Sequence, residues 1–357
     1  MRARSRLNLS SPSSCGLGPQ SEPRPKAEGA TVGRLTRGSG GGGRILIVKL
    51  GALGNVIVSL GPFEAIRRHH AGAHITLLTT APYADWLARA PWFDDVWIDE
   101  RPEWWNLSGL LRLRRRLTEG RFDRAYDLQT SGRSSRYFQL LPHGSRPEWS
   151  GIAHGCALPD RDPNRNRLHD LDRQFGQLRQ AGIKLRPPAD LSWSNADIGH
   201  FALPVPYALL APGSSPHRLV KRWPATRFAE LAAMLLERGL TPVVVGTAPE
   251  RSLAETIQQS VPQTIDLTGQ TDFDQLISLG RGARVAIGND TGTMHLISAT
   301  NCACVVLFSR DSDPKLCAPR GQGVRVMQSA DLKDLEAKSV RGAAMAMMSH
   351  AAGALYA

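Results

Sequence analysis

Two short stretches carry the residue types that could hold a diphosphate and release it. Pro212-Gly213-Ser214-Ser215, followed by Lys221-Arg222-Trp223-Pro224, brings two hydroxyls and two cations close together in sequence. A diphosphate accepts several charge-assisted hydrogen bonds, so such a stretch can grip it. If a bond to that diphosphate breaks, negative charge grows on it. A cation such as Lys221 then stabilises the transition state more than the ground state. Gly288-Asn-Asp290-Thr291-Gly292-Thr293-Met-His295 is the second stretch. It follows a strand pattern and opens a helix that Asp290 and Thr291 are placed to cap. The Thr291 and Thr293 hydroxyls and the turn's N–H groups then face a ligand, and His295, one turn inside, reaches phosphate or base.

A third stretch, Lys49-Leu-Gly51-Ala-Leu-Gly54-Asn55, breaks a strand. Gly51 and Gly54 let backbone approach a ligand closely. The following helix offers free N–H groups and the positive end of its dipole to an anion. Asp127, at the end of another strand, is a candidate to receive a proton.

The elements that must position these residues alternate. Short apolar, β-branched runs at 44–49, 74–79, 95–98 and 124–128 are separated by helical patterns at 56–70, 83–90 and 107–118. A Pro-rich joint at 203–206 begins a second cycle. Its strands are expected at 207–211, 241–245, 264–267, 284–287 and 303–308, and its helices at 226–238, 249–260, 273–280 and from 293 onward. Alternation of this kind builds parallel, doubly wound sheets. The expectation is an α/β protein of two Rossmann-like domains facing across a cleft: a tail at 1–43, a first domain at 44–203, a second at 204–330 and a closing helix within 331–357. Ligands bind at the carboxyl ends of strands in such folds.

Composition narrows the function. No apolar run approaches the roughly 18 residues that a membrane span requires. Of the +12 net charge over 357 residues, +6 lies in Met1–Arg44. The rest is spread too thinly to indicate nucleic acid. The tail is rich in Arg, Ser, Pro and Gly, a composition that predicts disorder. Its Gly38–Gly43 run precedes a strand, where a phosphate-binding loop should follow one. Cys15, Cys156, Cys302, Cys304 and Cys317 match no zinc spacing and suit a reducing, cytosolic compartment. Trp104-Trp105, followed by Leu110, Leu111, Arg112, Arg114, Arg115 and Arg116, forms an aromatic and basic helix suited to an anionic membrane surface.

Taken in order, residues 44–60, Asp127-Leu-Gln-Thr-Ser131, residues 212–224 and residues 288–295 resemble the four recurring segments of glycosyltransferase family 9, the heptosyltransferases. The likeness covers about 45–320. It implies the two-domain GT-B architecture and inverting transfer of heptose, or a related sugar, from ADP-sugar to the inner core of lipopolysaccharide, without a metal or a separate cofactor. It also implies a donor site in the second half, at Ser214, Ser215, Lys221, Asp290, Thr291, Gly292, Thr293 and His295. A lipid-linked acceptor would bind the first half, near Gly51 and Gly54, with the enzyme in the cytoplasm at the inner face of the inner membrane.

One residue departs from the resemblance. The family's first loop usually ends in Gly-Asp, with that Asp proposed as the general base; here the position is Asn55. An amide can position a hydroxyl but cannot take its proton. The alternative function is therefore a weak or inactive member that binds nucleotide-sugar, in which Asn55→Asp raises the rate. Asp127 is the substitute base that the sequence suggests. A nucleotide-sugar epimerase or dehydrogenase is disfavoured, because no G-x-G-x-x-G follows a strand and no Tyr-x-x-x-Lys pair occurs.

Overall fold

A computed structural model describes residues 42–214, 217–321 and 323–354. The expected tail, residues 1–43, therefore lies outside the described residues as far as Gly41. Gly43 already takes part in structure, since its carbonyl accepts from His74 N at 3.0 Å.

The first half runs β1 (Arg44–Val48), α1 (Leu53–Val58), α2 (Leu60–His69), β2 (His74–Thr79), α3 (Ala81–Leu87), β3 (Asp95–Ile98), α4 (Leu107–Glu119), β4 (Arg124–Asp127), α5 (Gly132–Leu140), β5 (Glu148–Gly151), β6 (Leu158–Pro159) and α6 (Asp170–Gln180). The second runs β7 (Tyr207–Ala211), α7 (Ala225–Leu236), β8 (Thr241–Val244), α8 (Arg251–Ser260), β9 (Ile265–Asp266), α9 (Phe273–Gly282), β10 (Val285–Asn289), α10 (Gly292–Ser298), β11 (Cys304–Phe308), α11 (Pro314–Cys317), β12 (Val324–Gln328) and α12 (Ala337–Ala354).

Each half forms its own six-stranded parallel sheet, in the orders β3-β2-β1-β4-β5-β6 and β12-β11-β10-β7-β8-β9. The two orders are the same doubly wound winding. In each, the chain reverses direction across the sheet between its first and fourth strands, β1 and β4 or β7 and β10. A doubly wound sheet binds ligands in the crevice outside such a switch point. The fold is thus two Rossmann-like α/β halves. The central strands are apolar because helices cover both faces: β7, β10 and β11 are buried throughout.

Three local expectations differ. The single helix expected at 56–70 breaks at Ser59. Pro62 has no N–H to give the Val58 carbonyl, and its ring crowds that carbonyl. The closing helix, for which the sequence allows a start as early as Ala330, begins at Ala337, because β12 and the turn after it precede it. The elements α5, β5, β6 and α6, between 132 and 180, carry no strong periodic signal in the sequence.

Two of the contacts between the halves bear on the site. One is aromatic: the Trp86 ring lies 5.1 Å from those of both Trp193 and Phe273. Trp86 Nε1 donates to Ser194 Oγ at 3.1 Å, and Ser194 donates to Asp274 at 2.5 Å. At the other, α1 of the first half lies against α10 of the second. A Cβ on Gly54 would come within 2.9 Å of the His295 ring, and one on Gly292 within 2.7 Å of Leu53 Cβ. The approach depends on both glycines.

Candidate functional site

Beside the α1–α10 contact lies a cavity of about 500 Å³, lined by both halves. From the first half come Gly54, Asn55 and Asp170; from the second come Arg218, Lys221, Asp290, Thr291, Gly292, His295, Asp311, Ser312 and Asp313, among others. Asn55 follows β1, Lys221 follows β7 and Asp290 follows β10. Both topological switch points therefore open on the same space.

The second-half wall is held from behind by Asn289, which is fully buried. Its side-chain amide donates to the carbonyls of Pro212 at 2.8 Å and Gly213 at 3.1 Å, while its oxygen accepts from Trp223 N at 3.0 Å. One residue thus ties the end of β10 to both ends of the loop after β7. Lys221 Nζ then donates to Asp290 Oδ2 at 2.7 Å, and Ser312 Oγ donates to the same oxygen at 2.8 Å. Lys221 thus stands in a largely buried ion pair with Asp290. Arg218 adds a second positive side chain to the wall. The Thr291 hydroxyl is buried without a partner among the described residues, an unmet capacity at the cavity wall. Burial pushes the His295 imidazole down to about 4, so it lines the cavity as a neutral ring at pH 7.

Other candidates stand elsewhere. Ser214 is buried behind the wall and does not line this cavity; its hydroxyl donates to the Arg218 carbonyl at 3.4 Å, and Arg222 reaches it at 3.3 Å. These bonds tie Ser214 into the loop after β7. Ser215 lies outside the described residues. Thr293 faces a second cavity, of about 420 Å³, on the other side of the α1–α10 contact. That cavity has a mixed lining, with Leu53, Trp86, Phe273 and Leu276 beside the charged Asp85, Arg89, Asp272 and Asp274. Gly51 has φ +109°, which favours glycine, and turns the chain below Tyr83.

Asp127 is a correction. It is fully buried and lines neither cavity. Its Oδ1 accepts from Gln129 N at 3.1 Å and Thr130 N at 2.9 Å, fixing the turn after β4. Burial raises its carboxyl to about 6, and Oδ2 has no partner among the described residues. Close by, burial lowers the Lys49 ammonium to about 8, and Lys49 donates to the Leu128 carbonyl at 3.0 Å. Both groups are buried around the turn after β4, and Asp127 is shielded from solvent there. Asp311 and Asp313 do line the cavity, on the loop after β11; Asp313 also caps α11.

Sequence reasoning missed Asp170 and Asn289 as distinct participants. Asp170 opens a helix in the stretch with little apolar periodicity. Asn289 is visible in the sequence only as one letter inside a turn motif.

Residues 110–343 match the sequence model of glycosyltransferase family 9 (heptosyltransferase). The lipooligosaccharide heptosyltransferase 2 of Haemophilus ducreyi is 26% identical over 291 residues, covering 72% of this chain and 80% of that protein. Among solved structures, the Escherichia coli ADP-heptose lps heptosyltransferase II superposes with a TM-score of 0.70 at 22% identity, covering 86% of this chain and 99% of that one. A glycosyltransferase family 9 protein from Veillonella parvula gives 0.72 at 21% identity, with 86% and 97% covered. At these identities the structures establish the shared fold.

Proposed function

Because the chain belongs to glycosyltransferase family 9, we propose that it transfers a heptose, or a related sugar, from ADP-sugar to the inner core of lipopolysaccharide with inversion at the anomeric carbon. The observation that carries this reading is the shared cavity. Asn55, at the end of the first loop, faces Lys221, Asp290 and Thr291 across about 500 Å³ at two converging switch points. The name of the Haemophilus relative supports heptose and lipooligosaccharide as substrates. The likeness to the Escherichia coli ADP-heptose lps heptosyltransferase II supports ADP-heptose as donor.

In this reading the donor diphosphate lies along Lys221, Arg218 and the Thr291 hydroxyl, and the cavity beyond Thr293, walled in part by Trp86 and Phe273, takes the nucleoside. Lys221 shares its proton contacts between Asp290 and the leaving group, and positive charge beside that group lowers the barrier. The reading includes no metal and no cofactor besides the donor. No nucleic acid enters it. The acceptor hydroxyl approaches from the Asn55 side. The protein works in the cytoplasm, against the inner face of the inner membrane. Among the described residues no helix is long and apolar enough to cross a membrane, and Trp104, Trp105, Leu107 and Leu111 stand exposed on the first half.

The test is binding of ADP-, UDP- and GDP-sugars to purified protein, followed by release of ADP from ADP-heptose on addition of a lipid A–Kdo acceptor, with and without EDTA. Preference for UDP- or GDP-sugar overturns the donor assignment. Activity lost to EDTA and restored by magnesium overturns metal independence. Tight ADP-sugar binding with no release would favour the binder reading that Asn55 raises.

A further inference from the structure

The transfer proposed above leaves one proton without a destination. As the acceptor oxygen bonds to the anomeric carbon, its hydrogen must go to a group on the face opposite the departing diphosphate. Asn55 cannot receive it. Four carboxylates line the cavity: Asp170, Asp290, Asp311 and Asp313. Asp290 is held by Lys221 and Ser312 on the second-half wall, beside the proposed leaving group. Asp313 accepts from Lys315 N at 2.9 Å to cap α11, and Asp311 is exposed on the same loop. All three belong to the wall that would hold the donor.

Asp170 differs in each respect. It opens α6, which packs on α1, α2, β5 and β6 of the first half, so it reaches the cavity from the Asn55 side. Its side chain is 13% exposed. Arg173 engages Oδ1, and Oδ2 has no hydrogen-bond partner among the described residues. The residue is also held in place. The preceding His169 accepts from Leu171 N through Nδ1 at 3.1 Å and pairs with the Ala318 carbonyl of the other half through Nε2 at 2.8 Å. One turn further on, Ser59 donates to Gln174 at 2.8 Å, and that same serine hydroxyl lies 2.8 Å from the Asn55 carbonyl. Helix α6 and the Asn55 turn are thus fixed to each other.

We propose that Asp170 is the catalytic base of this chain. Its free oxygen takes the acceptor hydroxyl's proton while the acceptor oxygen forms the new glycosidic bond. The anomeric bond to the diphosphate breaks, and its electron pair leaves on the diphosphate beside Lys221. The Asn55 carboxamide orients the hydroxyl between them. This inference rests on the transferase reading of the same cavity.

The experiment compares the full-length wild type with Asp170→Asn and with Asp170→Asn/Asn55→Asp, using ADP-heptose and a lipid A–Kdo acceptor. Turnover is followed against pH, ADP affinity by calorimetry and folding by thermal melting. Asp170→Asn is expected to lower kcat by roughly 10²–10⁴-fold, with ADP affinity and melting unchanged and the acidic limb of the pH profile lost. The double variant, with its carboxylate on the same side of the cavity, should recover at least about tenfold of that loss. Turnover of Asp170→Asn like the wild type's overturns the proposal. So does a loss accompanied by weaker ADP binding or a lowered melting temperature with no recovery in the double variant, since that describes a structural aspartate. A wild type that binds ADP-heptose but never releases ADP overturns the transferase reading itself, and Asp170's role with it.

Discussion

Lys221 Nζ lies 2.7 Å from Asp290 Oδ2, joining the loop after β7 to the loop after β10 across the second switch point. Both side chains are largely buried, at 12% and 9% exposure. Removing one partner of such a pair leaves an uncompensated charge. In Lys221→Ala that charge is the Asp290 carboxylate, facing the space proposed for the diphosphate. Lost charge-assisted bonds are worth about 1.5–3 kcal/mol, so ADP should bind roughly 10- to 150-fold more weakly. Calorimetric titration of the variant with ADP measures this, and an unchanged Kd removes Lys221 from the donor site.

How much of the site is legible in the sequence depends on periodicity. The strands that end at the site contain continuous apolar runs, at 45–48, 207–211 and 285–287, and stand out in the sequence. So do the loops that follow them. Residues 132–180 do not: α5 is Arg- and Ser-rich, β5 and β6 are four and two residues long, and α6 mixes Asp, Arg and Gln with few apolar residues. That gap hid Asp170. The pairing of Lys221 with Asp290 is a tertiary contact across 69 positions, which spacing cannot reveal. Asp127 misleads for a related reason. A carboxylate at a strand end suits a site in an open loop, but here the turn after β4 folds back over it.

The α1–α10 contact makes a stability prediction. A Cβ on Gly54 would stand 2.9 Å from His295 Cδ2 and 3.3 Å from Nε2. The ring is buried, so it must shift against its neighbours to make room. Overpacking of this kind costs about 1–3 kcal/mol. Gly54→Ala should therefore lower the denaturation midpoint, whereas Gly144→Ala, where a Cβ meets nothing within 4 Å, should not. Equal midpoints for the two variants in urea titrations would mean that the halves separate there without cost.

Asp127 should leave a mark on stability against pH. Its folded pKa, about 6, lies above the ordinary carboxyl value of 3.8. The folded state therefore holds this proton more tightly than the unfolded chain, and the residue's contribution falls as pH rises from about 4 to 6. A shift of that size corresponds to a few kcal/mol. Histidines held in the neutral form act oppositely over the same range: half-buried His70 and buried His295, both near 4, contribute stability that is lost as pH falls. The informative quantity is thus the difference between proteins. Asp127→Asn keeps an oxygen to accept from Gln129 and Thr130. Its stability relative to wild type should increase between pH 4 and pH 6. A constant difference across that range, measured by chemical unfolding, would show that Asp127 titrates normally.

The last prediction concerns the exposed face around α4. Trp104 and Trp105 are 67% and 65% exposed, Leu107 is 70% and Leu111 60%. A cluster of large apolar side chains in contact with water is costly unless something covers it. Arg115 and Arg112 are paired with Glu119 and Glu100, while Arg114 has no acidic partner among the described residues. Apolar rings beside an arginine fit the interface of an anionic bilayer, where rings enter the headgroup region and each basic side chain adds about 1 kcal/mol at low salt. A lipid-linked acceptor would arrive from that surface. The protein should therefore co-sediment with vesicles containing phosphatidylglycerol. Trp104→Ala/Trp105→Ala should weaken that binding by about tenfold or more, since two buried indoles each contribute well over 1 kcal/mol. Raising the salt should reduce wild-type binding only in part, because the ring contribution does not depend on charge. If the double variant binds vesicles as the wild type does, this face is not the one that meets the membrane. If salt abolishes binding entirely, the attachment is electrostatic and the two tryptophans serve another contact.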